Sequence, residues 1–247
     1  MDPISIAAAS GLRARMESLD MLANNLANTA TAGYKGDREF YGLYISAEAR
    51  PSSLQGGQAA TLPVIERQWT DFSQGTLLAT GNPLDLAISG RGFFAVNGPA
   101  GPLYTRNGSF QLSATGAVTT LEGYPVRLVG GGALQTASSN PIEVSPEGAV
   151  RQDGAVLGQL EIADFRELSS LSKQGSNYFA SRSGAAPAAA TGFEVRQGRL
   201  ESSNVASAEG AVRLVNVIRQ FEMLQRAITL GGEMNRRAVE EVARVGS

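Results

Sequence analysis

Two apolar stripes of the same kind, one at each end of the chain, constrain the fold more than any other feature. From Ile4 to Asn28 the residues Ala9, Leu12, Met16, Leu19, Ala23 and Leu26 recur at alternating steps of three and four. That spacing lines side chains along one face of an α-helix in heptad fashion. Arg13, Glu17, Asp20 and Asn24 lie on the other face. Asp2-Pro3 supplies a capping acid and a first-turn proline, and the run from Asn28 to Gly33 supplies a stop. The opposite terminus repeats the design: Leu214, Val217, Phe221, Leu224 and Ile228 step by three and four through Glu209 to Thr229. Glu222 with Arg226, Glu233 with Arg237 and Glu240 with Arg244 are acid-first pairs four apart that favour helix on a solvated face. Gly231-Gly232 interrupts the stripe and predicts a kink, a hinge or a close helix contact. Helices over 4–28 and 209–244 would span about 37 Å and about 54 Å at the usual rise. A single such stripe could pack on the protein's own core; two matched ones favour pairing of the chain ends.

Between the ends the pattern changes to period two with frequent turns. Leu84–Ile88, Gly92–Val96, Val118–Leu121, Ile142–Val144, Val156–Phe165 and Tyr178–Ala180 read as strands. Asn97-Gly98, Asn107-Gly108, Thr115-Gly116 and Glu122-Gly123 punctuate them as in a meander or small barrel. The expected class is therefore α+β: paired N- and C-terminal helices in a coiled-coil-like domain, and a central antiparallel all-β domain. The expected boundaries are 1–35 with 205–247 for the helical domain, 36–75 for an extended linker or arm, and 76–204 for the β domain. Residues 46–62 and 183–192 are polar, proline- and glycine-bearing stretches read as an arm and a surface loop.

Composition removes most chemistry. The chain has no histidine and no cysteine, so Ser-His-Asp and Cys-His catalysis, disulfides and the common zinc sites are excluded. A net charge of −2 without any basic block argues against nucleic acid. No apolar run reaches the ~18 residues of a membrane span, and the N-terminus has no basic segment of a cleavable signal. No cofactor, metal site or membrane insertion is expected. Asp71, Asp85, Asp153, Glu161 and Asp164 are scattered, with no spacing that nominates a catalytic pair.

Gly90-Arg91-Gly92-Phe93-Phe94-Ala95 matches a dinucleotide-binding pattern, but the chain continues as strand where a phosphate loop must open a helix. Gly90 and Gly92 are read as turn residues before a buried aromatic strand. Asn24, Asn25 and Asn28 cluster at the end of the first helix. Helix termination accounts for Asn28; at an interface, buried asparagines fix register at a cost in stability.

Asn24-Asn25-Leu26-Ala27-Asn28 followed by Thr31-Ala32-Gly33-Tyr34-Lys35 resembles the N-terminal signature of bacterial flagellar rod and hook proteins. Two further blocks agree in order. One runs from Gly81-Asn82 through Gly92-Phe93-Phe94 to Thr105-Arg106-Asn107-Gly108-Ser109-Phe110; the other is Gln197–Glu201 with Ser202-Ser203-Asn204-Val205. Within that family, length and the compact middle are most similar to proximal-rod members, with distal-rod members second. The resemblance implies an axial structural subunit, without enzymatic activity, that polymerises through its end helices into a periplasmic drive shaft around an export channel. It implies passage through the flagellar type III export apparatus, and other rod subunits and copies of itself as partners. Leu12, Met16, Leu19, Asn24, Asn25, Leu26, Asn28, Leu214, Val217, Phe221, Leu224 and Ile228 are the expected pairing and interface residues. Other axial proteins of the hook type, a carboxylate-dependent peptidoglycan hydrolase and a surface adhesin are the rival readings.

Overall fold

The computed structural model describes residues 3–45, 61–138, 140–175, 177–182 and 187–245. The chain forms two compact units: one comprises residues 1–27, 37–70 and 207–247, the other 28–36 and 71–206.

The first unit holds α1 (Pro3–Ala27), β1 (Asp37–Ile45), β2 (Thr61–Thr70) and α2 (Ser207–Val245). Both helices form where the three-four stripes lie. α1 packs on α2 and on the hairpin. Leu26, near the end of α1, lies against Gly210, near the start of α2, so the helices run antiparallel. Residues 36–75, expected as an arm, carry the antiparallel pair β1–β2, with a bulge between Phe40 and Tyr41. The polar stretch 46–60 lies outside the described residues. α2 continues unbroken through Gly231-Gly232. No neighbouring atom lies within 4 Å of a Cβ built at either glycine, so these glycines make no close helix contact among the described residues. No helix of the described residues is long and apolar enough to cross a membrane.

The buried face of α1 differs from the leucine stripe. Among its described side chains Gly11, Ala14, Ser18, Leu22 and Asn25 are buried, whereas Leu12, Leu19 and Leu26 are half-buried and Met16 is 55% exposed. The reason is visible in two polar contacts to the hairpin. Ser18 Oγ donates to Glu39 Oε1 at 2.7 Å, and Asn25 exchanges two bonds with the Asp37 backbone at 2.7 and 2.9 Å. Small and hydrogen-bonding residues let the helix approach β1 and β2 closely, which a leucine face would not. On α2 the expected stripe is the more buried one: Leu214, Val217, Phe221, Leu224 and Ile228 are all half-buried.

The second unit is almost entirely antiparallel. In chain order it contains β3 (Leu77–Ala79), β4 (Leu86–Gly90), β5 (Phe93–Gly98), β6 (Gly101–Thr105), β7 (Gln111–Leu112) and β8 (Val118–Thr119). β9 (Glu143–Val144), β10 (Ala149–Gln152), β11 (Ala155–Gln159), β12 (Ile162–Asp164), β13 (Leu171–Gln174) and β14 (Tyr178–Ser181) follow. β15 (Ala188–Ala189), β16 (Phe193–Gln197) and β17 (Arg199–Glu201) end it. A six-stranded sheet has the order β13-β14-β6-β5-β12-β15; a three-stranded sheet is β11-β10-β9; β16-β4, β17-β3 and β7-β8 are pairs. The Val156–Phe165 stretch is two strands, broken where Leu160 pairs with Leu128 instead. In the loop expected at 183–192, residues 183–186 lie outside the described residues. Ala188-Ala189 instead adds an edge strand to β12, and Ala190, which follows it, lies beside Gly92.

β5 is the wall between two cores. Successive strand residues face opposite sides. Phe94 joins Leu86, Ile88, Phe110, Val118, Val150 and Val195 on one side, while Phe93 joins Tyr104, Phe165, Leu171 and Phe179 on the other. Phe94 meets Phe110 edge-on at 5.3 Å, and Phe93 meets Phe179 at 5.8 Å. A strand buried on both faces is apolar throughout, which is why Phe93-Phe94-Ala95-Val96 shows no polar alternation.

Candidate functional site

The segment Gly33-Tyr34-Lys35-Gly36 belongs to the β unit although it follows the first helix in sequence. α1 stops at Ala27, and the Thr31 N–H and hydroxyl return to the Asn28 carbonyl and side chain, which makes Asn28 a turn residue. Gly33 then takes φ of +68° and donates its N–H to the Glu201 carbonyl at 2.7 Å. A Cβ there would sit 2.3 Å from the Arg106 carbonyl carbon and the Asn107 nitrogen. Only glycine lets the segment after α1 cross the middle of the chain at this distance.

This crossing delivers Lys35 to a buried carboxylate. Lys35 Nζ donates to Glu201 Oε1 at 2.5 Å and to the Ser73 carbonyl at 2.7 Å. Glu201 Oε1 also accepts the Gly75 N–H at 2.9 Å, and Oε2 accepts Arg106 Nη1 at 3.2 Å. Arg106 reaches the carbonyls of Ile88 at 3.3 Å and Gly90 at 2.7 Å, and its guanidinium lies 5.3 Å from the centre of the Phe93 ring. Lys35 and Glu201 have fully buried side chains and Arg106 nearly so. Its Nε is buried with no hydrogen-bond partner among the described residues. One carboxylate thus balances two desolvated cations.

Around this trio the backbone is tied down. Asn204 accepts the Gly36 N–H at 2.8 Å and donates to the Asp71 carbonyl at 2.7 Å. Lys173 sits 4.4 Å over the Tyr34 ring and donates to the Lys35 carbonyl at 2.9 Å. Thr105 Oγ1 donates to the Asn177 carbonyl at 2.8 Å and accepts the Asn107 N–H. Gly108 passes so close to Leu86 that a Cβ would overlap its carbonyl oxygen at 1.7 Å. Gly81 takes a left-handed turn and bonds the Gly198 carbonyl, Asn82 closes the next turn onto Asp85, Gly92 lies against Ile162, and Ser203 caps Val205. All three sequence blocks therefore converge on one clamp: Lys35 from the first, Arg106 from the second and Glu201 with Asn204 from the third.

Glu201 is the residue that sequence reasoning missed. One signal was present: the chain has only two lysines among its 21 cationic residues, and both meet here. Of the expected interface residues, Asn25 is buried with its amide engaged by Asp37, and Asn24 is exposed.

Burial pushes the Lys35 ammonium below the usual lysine range, Glu201 offsets part of that, and Arg106 lowers it further. A lysine that releases its proton more easily when folded leaves the unfolded chain holding more protons between the lowered value and 10.5. Stability from this group therefore rises with pH in the approach to 10.5. Tyr178 acts oppositely: burial and its bond to Glu122 raise its phenol, so its contribution is complete below about 10 and lost above it. We expect Lys35→Met to remove the rising part of a urea-midpoint profile measured through the alkaline range. An unchanged slope would show that Lys35 is not the titrating group.

A clamp closes three distant parts of the chain around one buried carboxylate, and long paired helices are carried by the chain ends, an arrangement whose work is structural. Comparisons with known proteins give the family. Residues 7–35 match the flagella basal body rod protein family, residues 87–157 the flagellar hook protein FlgE/F/G D1 domain, and residues 196–241 the flagellar basal body rod FlgEFG protein C-terminal family. The chain is 32% identical to the flagellar basal-body rod protein FlgF of Caulobacter vibrioides over 92% of each chain. It is 33% identical to FlgF of Rhizobium meliloti over 87% of each, and 32% identical to FlgG of Agrobacterium fabrum over 92% of this chain and 94% of the relative. The chain belongs to the flagellar basal-body rod protein family. Within it the chain is of the FlgF type, with the FlgG proteins as siblings.

Proposed function

We propose that this chain is a structural subunit of the flagellar basal-body rod that polymerises through its terminal helices into the periplasmic drive shaft. It meets other rod subunits and copies of itself, and reaches its place through the flagellar type III export apparatus. The observation that carries this reading is the helix pair: 25 and 39 residues long, with apolar side chains only half covered by their own chain. Leu214, Val217, Phe221, Leu224 and Ile228 are half-buried, and Val212, Met223, Leu230 and Met234 are exposed on the other side of α2. Such surface is stable in water only when further helices cover it. A coiled-coil-like domain, with Leu12, Leu19, Leu26 and the α2 stripe in its seams, supplies that cover, and the helices within 1–27 and 207–247 form the axial part, short of the expected bounds 1–35 and 205–247 because 28–36 and 205–206 belong to the β unit.

In this role torque passes through packed interfaces. The clamp keeps the β unit closed while load arrives through Gly36 and Asn204, which precede the segments that belong to the helical unit. Phe221→Ala removes a half-covered ring, so the free subunit loses only about 1–2 kcal/mol, whereas assembly loses a seam contact in every copy. In cells lacking the native gene, the unsubstituted chain is expected to restore rods and swimming, and Phe221→Ala to give few or none by electron microscopy of basal bodies. Normal rods with Phe221→Ala would refute the seam assignment; absence of the unsubstituted chain from purified basal bodies would refute the rod reading itself.

A further inference from the structure

Strands β6 and β14 pair over only two positions, Tyr178 with Thr105 and Phe179 with Tyr104, although both strands run further. The cause lies in β6. Ala95, opposite Tyr104, sends its N–H to Glu161 and its carbonyl to Arg127, so strand alternation turns the polar groups of Tyr104 and Pro102 toward β14. Pro102 has no N–H to give, and the ladder ends. The strands part and leave a groove of about 1150 Å³.

The groove has an aromatic wall, and its rim carries Glu122 and the Arg127–Glu161 ion pair. Tyr124 and Tyr178 meet edge-on at 5.4 Å, and the Tyr178 hydroxyl donates to Glu122. Leu121, beside that carboxylate, is 63% exposed. A large apolar side chain next to an ordered tyrosine pair has the make-up of an interface anchor.

A complementary surface exists on the same unit. β11 is the outer strand of its sheet, its edge met by Val129, whose N–H goes to the Gln159 carbonyl at the far end from Val156. Val156 on it is 64% exposed and stands opposite Arg151, which is exposed and makes no ion pair among the described residues. Glu143 is the neighbour of Arg151 on β9. An outer strand that shows a β-branched apolar residue invites pairing unless something covers it.

We infer that β11 of one copy seats in the β6–β14 groove of the next, with Val156 against Leu121 and the tyrosine pair and Arg151 toward Glu122. This rests on the rod reading, because it joins copies of an assembling chain. An extended strand matches a slot between two parted strands. Because the two surfaces lie at different places on one subunit, the contact is head-to-tail, and each copy offers a free strand to one neighbour and a free groove to another.

The chain has no cysteine, so disulfide trapping is clean. Full-length Leu121→Cys and Val156→Cys chains are mixed and oxidised with dithiodipyridine. The expected result is a covalent heterodimer in several-fold greater yield than from Val156→Cys mixed with Leu78→Cys, Leu78 being comparably exposed at 54%. Glu122→Gln, which keeps an acceptor for Tyr178, should lower the yield, and the paired exchange Glu122→Arg with Arg151→Glu should restore it. A yield no greater than the Leu78 control, or more self-linking of Leu121→Cys than mixed linking, overturns the proposal. Trapping is run on chains that pellet as polymer, so its failure there leaves the helix-based rod reading standing.

Discussion

Glu201→Ala is expected to destabilise the β unit by about 3–5 kcal/mol, because it leaves two buried cations without their shared counter-charge. Lys35 and Arg106 would each face the desolvation that already lowers both of them. The Gly75 N–H would lose its acceptor as well. At roughly 2–4 °C per kcal/mol for a domain of this size, melting should fall by about 6–20 °C. The comparison that identifies the mechanism is Lys35→Met in the Glu201→Ala background. If uncompensated charge is the cause, removing one cation recovers part of the loss, and the two substitutions show strong coupling in urea unfolding. Simple additivity would mean that Glu201 acts through packing and backbone bonds alone. Glu201→Gln should fall between, since it keeps an acceptor for Gly75 and Lys35 without the charge.

Gly33→Ala is expected to cost about 2–5 kcal/mol, the sum of a left-handed backbone strain of about 1–2 and an overpacking term of about 1–3. The neighbours that a methyl group would strike are backbone atoms of Arg106 and Asn107, which cannot swing aside as a side chain can. Gly81→Ala is the control. Gly81 has a similar φ of +75° but open space around it, so it should lose the strain alone. Equal destabilisation of the two variants would mean that the crossing at Gly33 is looser than its geometry indicates. The larger loss at Gly33 should also release the Lys35 segment. Faster amide exchange at Tyr34, Gly36 and Glu201 would report it.

Much of this was legible along the chain. The three-four spacing of Leu214 to Ile228 and of Leu12 to Leu26 places both helices, since a helix needs only local bonds and one apolar face. Turn glycines and asparagines mark the strands for the same local reason. The Glu201 pairing was not legible, because Lys35 and Glu201 are 166 positions apart and Arg199-Leu200-Glu201-Ser202 reads like any solvated strand. Nor was the buried face of α1. A leucine stripe is the natural choice by hydrophobicity, yet the face against the hairpin is set by which residues permit close approach and by the Asp37 and Glu39 groups they meet.

The end helices, the punctuated β middle and the family signature were therefore determined by sequence alone, because propensity, periodicity and turn chemistry act within a few residues. Tertiary structure decided that Gly33-Tyr34-Lys35 belongs to the β unit, that three signature blocks share one carboxylate, and that β6 and β14 part at Pro102. Each of these depends on which groups become neighbours in space and lose water together. Burial turns Glu201 from a surface acid into the partner of two cations, and no local pattern encodes it.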